Sequence, residues 1–114
     1  MKKIIAFAGS NSSTSINHAL VSYLASTIEN CDVTVLRLTD YPLPIYGQDI
    51  EDNEGFPSAL LSLVELIKQA DGVMISVNEH NGSISAFFKN IIDWLSRVDG
   101  RYLSSAKVML LSTS

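Results

Sequence analysis

Two polar stretches carry the residues best suited to chemistry. The first, Gly9-Ser10-Asn11-Ser12-Ser13-Thr14-Ser15, offers hydroxyls ahead of a helix whose first backbone N–H groups have no partner within the helix. Together these groups make a neutral, donor-rich concavity suited to a phosphomonoester, with Gly9 permitting a tight turn. The stretch lacks G-x-x-x-x-G-K-[ST], hence the lysine of a triphosphate site, and lacks the G-x-G-x-x-G of a dinucleotide site. The same residue types also suit a helix cap followed by loop filler. The second stretch is Asn78-Glu79-His80-Asn81-Gly82-Ser83, whose carboxamides, hydroxyl and main-chain amides can read the polar edge of a planar heterocycle. Gly82 would let the backbone approach such a ring closely. His80 is either a solvent-facing loop residue or a proton donor.

Other chemistries are poorly supplied. Two histidines far apart in sequence, His18 and His80, and the single Cys31 give no metal-ligand spacing, so no metal is expected. No G-x-S-x-G elbow or nucleophile–base–acid set is present, so no catalytic side chain is assigned.

The elements that must position these stretches follow from apolar patterning. Ile4-Ile5-Ala6-Phe7-Ala8 is continuous rather than alternating, as in a strand buried on both faces. Ile16, Leu20, Leu24 and Ile28 recur every four residues and predict a helix over roughly 17–28. Val33-Thr34-Val35-Leu36 is a second strand, and residues 39–54, with Pro42, Pro44 and Gly47, read as a long surface loop. Pro57 opens a helix carrying Leu60, Leu61, Val64 and Ile67. Gly72-Val73-Met74-Ile75-Ser76-Val77 is a third strand, Phe87 to Leu95 lie on a third helix, and Val108-Met109-Leu110-Leu111 is a fourth strand. Strands alternating with helical crossovers predict a doubly wound parallel α/β sheet. Ligands in such folds bind beyond the strand carboxyl ends where strand order reverses, so the two polar stretches converge if strands one and three are neighbours.

Composition narrows the partners. With 114 residues, 46% hydrophobic and 18% charged, the chain suits one globular domain and not a disordered one. Eight Lys and Arg against twelve Asp and Glu give a net charge of −4 without a basic stripe, which argues against nucleic acid and anionic membranes. No apolar run approaches the ~20 residues of a membrane span. A lone cysteine and no signal peptide predict a cytoplasmic protein. The acidic run Asp49, Glu51, Asp52 and Glu54 reads as a solvated face, Lys89 and Asp93 as a surface pair, and Trp94 as core or an oligomer contact. Tyr41 and Tyr46 either flank a ligand or are half-buried surface aromatics.

Taken together, the two stretches resemble the NAD(P)H-dependent FMN reductase family of flavodoxin-like proteins, which includes quinone and azo-compound reductases. Gly9, Ser10, Ser15 and Asn17 fall on the family's first pattern, G-S-x-R-x-x-S-x-N, with Ser12 where the Arg is usual. Glu79, Asn81, Gly82, Ser83, Lys89, Asn90, Asp93 and Trp94 fall on its second, P-E-Y-N-G-S-x-P-x-x-L-K-N-x-x-D-W. There Asn78 replaces the first Pro, His80 the Tyr, Ser85 the second Pro and Phe88 the Leu.

The resemblance implies a flavodoxin-like sheet of order 2-1-3-4 with the usual fifth strand absent, in a single domain over 1–114 that is C-terminally incomplete. It implies FMN, with Ser10, Ser12, Ser15, Ile16 and Asn17 at the phosphate and Asn78, Glu79, His80, Asn81, Gly82 and Ser83 at the ring, where His80 would stack. It further implies hydride transfer from NADPH or NADH to N5 of FMN and then to a small-molecule flavin, quinone or azo-type acceptor. A homodimer or homotetramer is implied, with the Phe87 to Trp94 helix as contact surface. The alternatives are a non-enzymatic FMN-binding or electron-carrier module, or an inactive truncated relative.

Overall fold

A strand that is apolar on both faces needs cover on both, and the run from Ile4 finds it at the centre of a sheet. The computed structural model describes residues 2–10, 16–80, 83–98 and 107–113. In it β1 (Lys2–Ala8) lies parallel between β2 (Cys31–Leu36) and β3 (Gly72–His80), with Ala6 opposite Val35 on one side and Met74 on the other. A two-residue strand that the sequence pattern does not announce, β4 (Ser83–Ile84), folds back antiparallel on Glu79 and His80. The last strand, β5 (Lys107–Thr113), runs parallel to β3 from Gly72↔Lys107 to Asn78↔Thr113. Five strands are therefore described where the apolar runs predict four.

Side-chain alternation sorts β1 and β3 between two helical layers. Ile5, Phe7, Val73 and Ile75 pack with Leu60, Leu63, Val64 and Ile67 of α3 (Ser58–Lys68) and with Phe88, Ile91, Trp94 and Leu95 of α4 (Ala86–Val98). On the other face Ala6 and Met74 meet Val21 of α1 (Ile16–Thr27), flanked by Leu24 and Ile28. Helices on both faces of a parallel sheet make the arrangement α/β and flavodoxin-like. Among the described residues no helix is long and apolar enough to cross a membrane.

The connection from β2 to α3 departs from the expected surface loop. It holds a 3₁₀ turn (Leu38–Asp40) and a seven-residue helix, α2 (Gln48–Glu54), closed by Gly55 at φ 74°. No residue of α2 is buried, so it has no apolar period for a sequence reading to detect. Polar contacts stabilise it: the Gln48 amide donates to Glu51 at 3.1 Å and to Asp52 at 3.0 Å. Arg97 of α4 grips Glu51 through two nitrogens, at 2.9 and 3.1 Å, so the acidic run is not simply a solvated face.

Trp94 fastens the same connection from beneath. It is fully buried, and its indole N–H donates to the Pro44 carbonyl at 2.8 Å. Asn90 donates to that carbonyl at 3.0 Å and accepts from the Tyr46 N–H at 2.7 Å. The Tyr46 ring stands edge-on to Trp94 at 4.9 Å, and both Tyr41 and Tyr46 are half-buried against the core. Burial of Phe88 and Trp94 inside the chain's own core corrects the expectation that this aromatic helix face is an oligomer contact. Lys89 and Asp93 do form the exposed pair, at 2.9 Å, worth only a few tenths of a kcal/mol.

Two outcomes follow. Trp94→Ala removes a fully buried indole and a strap hydrogen bond, and should lower unfolding free energy by about 3–5 kcal/mol in a denaturant titration. The Arg97 hydrogen bonds hold the Glu51 carboxyl below its ordinary value of 4.5, against an opposing push from desolvation. A depressed folded value means stabilisation present above the unfolded value and lost as pH falls through the folded one. Glu51→Gln should therefore lower Tm at pH 7, and the gap to the parent chain should close below roughly pH 4.

Candidate functional site

The sheet reverses its order at β1, with β2 on one side and β3 on the other, so the crevice beyond the carboxyl ends of β1 and β3 is its switch point. Both polar stretches begin there. Ala8, the last residue of β1, pairs with Ser76, and β3 continues beyond it through His80 as a ledge. That continuation corrects the reading of residues 78–83 as a loop: Asn78, Glu79 and His80 are strand because β4 and β5 pair with them, and Ser83 is in β4.

Gly9, at the start of the first stretch, bonds to the residues that flank the second. Its N–H donates to the Ser76 carbonyl at 2.8 Å, and its carbonyl accepts from the Ser85 hydroxyl at 3.1 Å. The Ser85 oxygen also accepts from the Phe88 N–H at 3.2 Å, which caps the first turn of α4. A Cβ on Gly9 would fall 2.7 Å from Cγ of the buried Phe88 ring. Glycine is required here by close approach, its φ not being positive.

The expected phosphate residues are only partly placed. Ser10 is half-buried immediately after Gly9, while Ser12 and Ser15, with Asn11, Ser13 and Thr14, lie outside the described residues. Ile16 opens α1 and is 75% exposed. Asn17 is buried, and its Oδ1 accepts from the Ser76 hydroxyl at 2.6 Å. Its side chain is thus engaged with β3. Asn81 and Gly82, and the stacking and proton-donor readings of the His80 ring, lie outside the described residues.

Two serines escaped the sequence reading as site residues. Ser76 had a signal: it is the only polar side chain between Gly72 and Val77 in an otherwise apolar strand. Ser85 had a fainter one, as a hydroxyl three residues before the Phe88 amide it caps.

The electrostatics favour an anion. No acidic residue stands in the first turn of α1, where the helix presents its positive end. His18 in that turn is held below its ordinary value by burial and then by the Arg37 charge, so it is mainly neutral at pH 7. Hydroxyl and amide donors with no carboxylate among them fit a phosphate-bearing group such as that of FMN. Among the described residues no three or more His, Cys, Asp or Glu gather as a metal site.

Comparison with known proteins agrees with this geometry. Residues 2–114 match the family described as NADPH-dependent FMN reductase. The chain is 42% identical over 72 residues to a quinone reductase of Escherichia coli strain K12, which covers 63% of this chain and 38% of that protein. It is 32% identical over 105 residues to a 2-hydroxy-1,4-benzoquinone reductase of a Burkholderia species, covering 92% and 56%. Among solved structures, the flavoenzyme NAD(P)H:(acceptor) oxidoreductase FerB of Paracoccus denitrificans superposes with a TM-score of 0.80 at 28% identity, over 100% of this chain and 62% of that one. An azoreductase of Bacillus anthracis shares the fold, with a TM-score of 0.69 at 20% identity over 98% and 68% of the two chains. The chain spans 38% and 56% of the two curated relatives. With the family match running from Lys2 through residue 114, the chain belongs to the NADPH-dependent FMN reductase family.

Proposed function

We propose that this chain forms the FMN-binding part of an NAD(P)H-dependent flavin or quinone reductase. The observation that carries the reading is the junction at Gly9, which opens the first stretch and bonds to Ser76 and Ser85, the residues on either side of the second stretch, at the switch point of the sheet. In this reading β2, β1, β3 and β5 are strands 2-1-3-4 of the family's domain, supported by the parallel pairings of β3 with β1 and β5.

Bound FMN would supply the redox chemistry, taking a hydride from NADPH or NADH and delivering reducing equivalents to a flavin, quinone or azo-type acceptor. The chain's own residues bind and orient. Ser10, Ser12 and Ser15, with the main chain of Ile16 and Asn17, hold the phosphate at the positive end of α1. Asn78, Glu79 and His80 on the ledge, with Asn81, Gly82 and Ser83, set the edge and face of the ring. No side chain is asked to act as nucleophile or general base, because orientation is the protein's contribution. A homodimer or homotetramer that helps enclose the ring completes the proposal.

Titration of the chain with FMN, followed by quenching of flavin fluorescence, tests it. FMN should saturate, and riboflavin should bind at least about tenfold more weakly, the loss expected from removing charge-assisted hydrogen bonds. Equal affinities, or no FMN binding by a folded sample, would sink the reading. NAD(P)H oxidation with a quinone by the FMN-loaded chain then separates a reductase from an electron carrier.

A further inference from the structure

We propose that Ser76 is a positioning residue for the phosphate turn, fixing both ends of that turn from the neighbouring strand. The inference rests on the FMN reading above. Ser76 is fully buried in the middle of β3, on the face it shares with Met74 toward α1. A hydroxyl there is removed from water and must find a partner inside the protein. It donates to Oδ1 of buried Asn17 at 2.6 Å, at the short end of the range for O–H···O bonds. The carbonyl of the same residue accepts from Gly9 at 2.8 Å.

Gly9 and Asn17 bracket the turn. One residue of β3 therefore holds the last residue before the turn and the second residue of the helix after it. Held this way, the separation of the two ends is fixed, and so is the direction in which the first amides of α1 point relative to the ledge three residues further along β3. A phosphate needs several N–H and O–H groups to converge at hydrogen-bond distance, so such alignment translates into affinity without contact between Ser76 and the ligand. Substitution of the side chain leaves the carbonyl grip on Gly9 in place and releases only the helix end.

The test is a pair of titrations on the chain and its variants. Ser76→Ala should weaken FMN about tenfold while leaving riboflavin within about twofold, because the lost hydroxyl releases the Asn17 side chain from β3 beside the phosphate turn alone. Asn17→Ala should do the same, and the double variant should be no worse than either single one, as for two partners in one bond. Ser76→Thr keeps the hydroxyl and should keep the ratio of the two affinities, whatever it does to Tm. A lower Tm with an unchanged FMN-to-riboflavin ratio, or additive losses in the double variant, would overturn the positioning role. Should Ser76→Ala fail to fold, Asn17→Ala reads the same bond from the helix side. A parent chain that binds no FMN refutes the FMN reading and this proposal with it; a parent that binds, with an unaltered ratio in the variants, refutes only the role of Ser76.

Discussion

The parallel pairing of β1 with β3 is the constraint on which everything else depends. It sets Ala8 against Ser76, and one step later Gly9 donates to the Ser76 carbonyl. A slip of one residue would turn Ile5 and Phe7 away from α3 and α4 and push Ala6 and Ala8 into a space that needs large side chains. The register is therefore specified by the core, and the crevice inherits it. Where the turn after β1 starts is a consequence of how Ile5, Phe7, Val73 and Ile75 pack.

The two faces of the sheet do different work. The face toward α3 and α4 carries the larger cluster, with Trp94 at its edge, and it supports the strap of residues 42–54 through Asn90, Trp94 and Arg97. Two residues of the second sequence motif act there: Asn90 and Trp94 bond to main-chain atoms of Pro44 and Tyr46. The face toward α1 is thinner and holds the buried Ser76–Asn17 bond among small side chains such as Ala6. A polar bond in that layer contributes direction more than energy, since its net worth is only about a kcal/mol but it is satisfied in a single arrangement.

How much of this was legible depended on whether a feature left a periodic trace. The continuous runs at Ile4 and Gly72 and the four-residue spacing from Ile16 announce β1, β3 and α1 because burial selects for apolar side chains at fixed intervals. The helix α2 has no fully buried residue, only Ile50 partly covered by the core, and is fixed by Gln48, Glu51 and Arg97, two of them neighbours and one 46 residues away, so no local pattern could show it. The ledge was misread for a related reason. Asn78, Glu79 and His80 have poor strand character, and they are held extended by pairing with β4 and β5, a tertiary effect that overrides local preference. For the site, spacing located both stretches but not why Gly9 is glycine, because that is explained by a Phe88 ring 79 residues further on.

The two positions where this chain departs from the family pattern at proline show how one constraint can be met by different physics. Proline fixes its own φ and starts a helix well, but it has no N–H to give. At Ser85 the start of α4 is fixed instead by the hydroxyl, which accepts from the Phe88 N–H and donates to Gly9. The second of these bonds is beyond any proline, and it ties the entry to α4 directly to the end of β1. At Asn78 the exchange restores a main-chain N–H within the stretch of β3 that pairs with β5, where Asn78 lies opposite Thr113. The Ser85 departure replaces intrinsic stiffness with hydrogen bonds, one of them to Gly9 at the end of β1, so the geometry of the crevice depends on the integrity of the sheet as well as on the rigidity of its own loops.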